Sequence, residues 1–181
     1  LNSDFTVKVR LQDGVWHTLS SYLIKVDEVR DTRHYVENAS MAIFDFTGKV
    51  EVAVTYNLGE VQTAKVRPLS YDIPFQIDGN TVTFTLEHPR NLSVEVNGDI
   101  FHNLHLFTGS PERTIPDKDN PEVIYFGPGI HTVKNGELRV PSGKTVYLAG
   151  GAVVMGRVLI ENVHDVKLLG RGIIDHSIKG G

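Results

Sequence analysis

The sequence predicts an all-β chain: an N-terminal antiparallel β-sandwich followed by the first coils of a parallel β-helix. Three observations carry this expectation. Short runs that alternate apolar with polar residues, punctuated by turn residues, fill positions 5–107. A stretch with three prolines, Ser110–Pro121, then breaks the texture. Beyond it, similar apolar segments recur at Ile124, Val146 and Val166, a period of about twenty residues that suits a solenoid. The predicted division is a sandwich over 1–109, a linker over 110–122 and the start of the β-helix over 123–181.

In the first part, Met41–Phe46 and Val50–Tyr56 are strand-like runs around Thr47–Gly48, which reads as a hairpin. Val61–Arg67 follows and ends at Pro68. Asp78–Gly79–Asn80 turns into Thr81–Leu86, where threonines alternate with Val82, Phe84 and Leu86, as a sheet with one wet face requires. Leu92–Val96 and Ile100–Phe107 flank Asn97–Gly98, the strongest short-range hairpin signal. Roughly seven or eight strands are expected, in antiparallel order.

In the last part, IYFGPGIHTV, VYLAGGAVVM and VKLLGRGIID stack at separations of 22 and 20 residues. That register aligns Phe126 with Leu148 and Leu168, Pro128 with Gly150 and Gly170, and Thr132 with Val154 and Ile174. A second series aligns Leu138, Val158 and Ile178, with Val140 against Ile160. Two ladders in one register predict coils whose strands lie on one another, turning at Gly150–Gly151 and at Gly170–Gly172. The Gly-x-Gly pairs open no helix, so a nucleotide-binding loop is excluded.

Apolar residues make up 40% and charged residues 22% of the 181, with a net charge of -4. No Lys/Arg run interrupts this balance, which excludes a nucleic-acid partner. The absence of cysteine excludes disulfides, thiolate metal sites and cysteine nucleophiles. No run is long enough to span a bilayer as a helix, so no membrane partner is expected. The chain begins at Leu1 without a methionine or a leader, and we expect that an original start has been removed.

Individual candidates stay weak. Asp117 and Asp119 supply too few oxygens for calcium and are expected in a solvated turn. His102 and His105, three apart on one strand, should face opposite sides and cannot share a metal. Asp175 and His176 could line a sugar-binding rim, though Asp175 fits a turn. Trp16, beside His17, is expected in the sandwich core. Asp45, between Phe44 and Phe46, is expected in solvent. No catalytic residue, metal ligand or cofactor is assigned, and the substrate-binding residues are not identified.

Leu92–Glu112 (LSVEVNGDIFHNLHLFTGSPE), followed by IYFGPGIHTV, SGKTVYLAGGAVVMG and LLGRGIID, resembles the opening region of bacterial dextranase-type and polygalacturonase-type glycoside hydrolases, families 49 and 28. Such a resemblance implies a right-handed β-helix and hydrolysis of a pectin- or glucan-type polysaccharide by paired carboxylates. It also implies export, secreted or periplasmic. The family motif Gly-Arg-Gly-x-Ile-Asp-Gly is matched by Gly170–Asp175, with His176 replacing the last glycine. The family's Asn-Thr-Asp element, Asp-Asp pair and later histidine strand are not found in these residues. The expectation is therefore the N-terminal portion of such an enzyme, inactive alone, with a polysaccharide or oligosaccharide as partner. Rival readings are a carbohydrate-binding module and a structural spike or adhesin. An open coil end near Val158, Ile160, Ile174 and Ile178 predicts self-association, a covering partner or poor order past Asp175.

Overall fold

The computed structural model describes residues 1–176 and is all-β apart from one 3-10 turn at Leu69–Tyr71. It divides into two compact units, Leu1–Pro111 and the chain from Glu112 onward. The first unit contains β1 (Phe5–Arg10), β2 (Trp16–Thr18), β3 (Tyr22–Arg30), β4 (Arg33–Asp45), β5 (Val50–Tyr56), β6 (Ala64–Arg67), β7 (Phe75–Asp78), β8 (Thr81–Leu86), β9 (Leu92–Val96) and β10 (Asp99–Gly109). These form two five-stranded sheets, ordered β2-β1-β5-β8-β7 and β3-β4-β10-β9-β6.

Both sheets contribute to one apolar cluster. Val7, Val52, Val54 and Val82 come from the first, and Ala42, Val94, Leu104 and Leu106 from the second, all fully buried. Strict alternation produces this: in β8, Val82, Phe84 and Leu86 are buried while Thr81, Thr83 and Thr85 stand on the other face. Asn97 and Gly98 both adopt positive φ (55° and 80°), so the predicted turn joins β9 to β10.

Three expectations need correction here. Met41–Phe46 and Val50–Tyr56 do not form a hairpin: β4 pairs with β3 and β10, whereas β5 pairs with β1 and β8. Thr47–Gly48 therefore belongs to a crossing between sheets, with the Phe46 amide donating to the Gly109 carbonyl at 2.9 Å. Second, the order is not purely antiparallel, because β4 and β10 run parallel, Leu104 opposite Ser40 through Gly109 opposite Asp45. Third, ten strands are present instead of seven or eight. The additions include β3 and the first part of β4, which pair with each other through a tip at Asp31 and Thr32, φ 47° and 69°. Their mixed polar faces gave no burial pattern to detect.

The second unit contains β11 (Val123–Phe126), β12 (Gly129–Arg139), β13 (Thr145–Leu148), β14 (Ala152–Leu159), β15 (Lys167–Gly170) and β16 (Ile173–Asp175). Alternate strands stack in parallel, β11-β13-β15 in one sheet and β12-β14-β16 in another. Val133, Val140, Val146, Leu148, Ala152 and Val154 form its core. Val146–Met155 has no polar stripe because both faces of β13 are covered. Val146 and Leu148 enter the core, and Tyr147, 1% exposed, donates from its hydroxyl to Glu112 Oε2 at 2.6 Å. Burial first, then Glu112, pushes the Tyr147 phenol up to about 12.

The register differs from the fixed-period expectation. Phe126 does lie opposite Leu148, but the next partner of Leu148 is Gly170, and Leu168 lies opposite Val146. In the other sheet His131, not Thr132, faces Val154, while Val154 with Ile174 and Leu138 with Val158 pair as expected. The corners explain the slips. From Phe126 to Ile130 is four positions, from Leu148 to Val153 five, and from Gly170 to Ile173 three, yet each pair occupies equivalent ladder positions. The expected Ile178 rung lies outside the described residues.

Candidate functional site

Two groupings in the first unit hold chemistry-bearing side chains. One lies at the start of β10, where the ladder with β9 is interrupted between Asp99 and Leu104. Asp99 Oδ1 accepts the amides of Phe101 and His102, both at 2.9 Å, and Oδ2 lies 2.9 Å from His102 Nδ1. The other ring nitrogen, Nε2, is 3.2 Å from Glu37 Oε2 on β4. Glu37 in turn meets Arg30 at 3.3 Å, and Arg30 also contacts the buried Glu28 on β3. Arg30 lies over the Tyr35 ring at 5.1 Å.

A carboxylate faces each ring nitrogen, so the protonated ring would donate to both. The Asp99 carboxylate chiefly, and Glu37 behind it, raise the His102 pKa above 6.5. Burial pushes Asp99 up, but the amides of His102 and Phe101 and the His102 ring outweigh it and hold the carboxyl below its ordinary value. A raised folded-state value means the tie between β10 and β4 is complete below pH 6.5 and lost as pH rises through that raised value. Urea midpoints of the wild type and His102→Gln should therefore differ in mild acid and converge in alkali. The gap stays small because the His102 side chain is 51% exposed. A gap independent of pH would refute this role for the charge.

The second grouping is an open pocket of about 590 Å³, lined by Ser70, Tyr71, His88, Pro89, Arg90, Asn91 and Thr108. Three separate segments build it: the 3-10 turn, the loop between β8 and β9, and the end of β10. Reciprocal bonds fix Arg90: its amide donates to Thr108 Oγ1 at 2.6 Å, and the Thr108 hydroxyl donates to the Arg90 carbonyl at 2.8 Å. The guanidinium lies over the Tyr71 ring at 4.6 Å, and its Nε donates to His88 Nε2 at 2.7 Å. Asn91 Oδ1 accepts the Thr108 amide at 3.1 Å. No carboxylate lines the pocket, so it offers a cation and hydrogen-bond donors for binding and no acid–base pair for hydrolysis.

The residues singled out from sequence are dispersed. Asp117 and Asp119 are exposed in a turn, where the Asp119 amide donates to Asp117 Oδ1 at 3.0 Å. His102 is exposed in the network above, whereas His105 is half-buried, stacked on Phe107 at 6.3 Å, with burial lowering its pKa. Trp16 is not core, a correction: it is 37% exposed on the three-residue edge strand β2, with Arg10 over its ring at 4.7 Å. His17 faces Asp13 at 3.3 Å. Asp45 is half-buried at the end of β4 and not in open solvent, and Asp175 ends strand β16 and is not a turn residue, with exposed His176 after it. Among the described residues no group of three or more His, Asp or Glu could hold a metal, and no helix is long and apolar enough to cross a membrane.

Sequence reasoning missed the pocket because Tyr71, Arg90 and Thr108 are far apart in the chain and share no motif. His88–Pro89, noted only as a strand end, was the one available signal.

No family model matches the chain, and no curated protein matches it. Among solved structures, Dex49A from Penicillium minioluteum is similar over 94% of this chain, with a TM-score of 0.65 and 18% sequence identity. The chain spans 45% of that protein's length. At this identity the likeness concerns the fold alone.

Proposed function

We propose that this chain is the front portion of a carbohydrate-active protein of the glycoside hydrolase type, a β-sandwich followed by the opening coils of a right-handed parallel β-helix. The observation that carries the proposal is the combination of two five-stranded sheets around one core with a parallel three-layer stack, similar over 94% of the chain to Dex49A. That name is one of a family 49 dextranase, and the motifs around Leu92–Asp175 resemble families 49 and 28 together.

On this reading, the coils serve as a platform on which further coils build a glycan groove. Hydrolysis then falls to paired carboxylates beyond residue 181, one protonating the leaving oxygen and the other acting on the opposite face of the sugar. A polysaccharide or oligosaccharide is the partner, and the protein is exported, secreted or periplasmic. The exposed Ile160, Leu168 and Ile174 suit coverage by a further coil or by a second copy.

The expected result is that the 181-residue chain does not turn over dextran or polygalacturonate, whereas a version extended through the downstream codons cleaves one of them. Turnover by the 181-residue chain itself, or no turnover of any glycan by the extended protein, would overturn the proposal.

A further inference from the structure

We propose that the pocket around Arg90 is a binding site for an oxyanion, a carboxylate or sulfate group borne by a small molecule or a saccharide, with Arg90 as its recognition residue. The charge pattern is the first reason. Arg10, Arg30, Arg67, Arg139 and Arg157 each meet a glutamate, whereas among the described residues Arg90, like Arg33 and Arg113, enters no ion pair, and no acidic residue lines its pocket. A local cationic site in a chain of net charge -4 is not a by-product of a basic surface.

Preorganisation is the second reason. The Tyr71 ring supports one face of the guanidinium, His88 Nε2 accepts the hydrogen bond from Nε–H, and Thr108 holds the backbone on both sides. Of the five guanidinium N–H donors, Nε is used and the four on the terminal nitrogens remain, in the fork that matches a carboxylate or sulfate. Because Asn91 accepts through Oδ1, its NH₂ is left as a further donor, and the Ser70 hydroxyl lies along the same wall.

The same geometry argues against a neutral sugar. A ring face of Tyr71 would be the platform for stacking, but Arg90 lies over it. What the pocket presents is charge with donors. This inference stands whether or not later coils hydrolyse a glycan.

The test is an NMR titration of the full 181-residue chain with sulfate, glucuronate and glucose. Sulfate and glucuronate should both shift the Arg90 and Asn91 signals in the millimolar range, and glucose should not. Tighter binding of glucuronate would identify a saccharide as the source, and equal binding a free oxyanion. Arg90→Gln should weaken binding about tenfold or more, as expected for loss of a bidentate charged contact. Should that variant fail to fold, Arg90→Lys keeps the charge without the fork and should weaken binding a few-fold. Equal shifts with glucose, no shift with either anion, or unchanged affinity in a folded Arg90 variant would overturn the proposal.

Discussion

Replacing Gly170 by alanine is expected to dismantle the parallel stack of the second unit. Gly170 closes β15 directly beneath Leu148, and an added Cβ would stand 1.9 Å from the Leu148 carbonyl oxygen and 2.7 Å from its carbon. These are backbone atoms of the neighbouring strand β13, so no side chain can swing aside. Its φ of +116° adds strain for any L side chain. The Arg171 and Gly172 amides both donate to the same Leu148 carbonyl, so displacing it also loosens the corner into β16. Strain and overpacking together should cost more than about 3 kcal/mol. Gly150 supplies the control, since its Cβ would meet only Arg171 Cβ at 3.9 Å, and Gly150→Ala should change stability by less than about 1 kcal/mol. Hydrogen exchange at β13 and β15 amides separates the two. Comparable protection in both variants would mean that the close approach of Gly170 to Leu148 is wrong.

Gly170 also illustrates what could be foreseen from sequence. Its Gly-Arg-Gly context marked a corner, but the expected register placed it level with Gly150. A fixed period assumes equal corners, and the corners between the two stacked sheets take four, five and three positions between equivalent rungs. The recurrence of apolar segments reports which strands stack. It cannot report how many residues each corner consumes, because corner residues are not in the ladder. Likewise, alternation in β8 was legible because one side of that strand is wet.

Where burial does not follow the period, legibility fails. The β3–β4 pair carries Glu28 inside and Val29 and Val36 outside, the reverse of an amphipathic strand. Trp16 was misplaced for a similar reason: a large apolar residue is core by default, yet here the ring sits on an edge strand beneath an arginine. The pocket at Arg90 depends wholly on tertiary closure of three segments, and no local pattern announces it.

Glu95 makes the second large prediction. It lies on β9 between Val94 and Val96, on the face opposite the core, yet is only 5% exposed. Its Oε1 is in ion-pair contact with Arg67 of β6, and its Oε2 has no hydrogen-bond partner among the described residues. A buried carboxylate held chiefly by one cation is costly once that cation goes, because desolvation remains and attraction does not. Arg67→Met should therefore destabilise the first unit by about 2–4 kcal/mol, below the upper range for such pairs because the Arg67 side chain is 38% exposed. Lys65, opposite Glu95 in the β6–β9 ladder, moderates the loss to the extent that it swings in. Arg67→Met combined with Glu95→Met removes both charges and should recover most of the stability, as replacing whole buried pairs by apolar residues commonly does. Trp16, the single tryptophan and part of the same unit, reports unfolding by fluorescence in urea. If the double variant is no more stable than Arg67→Met alone, the loss came from packing of the arginine stem, and the unpaired carboxylate was not its cause.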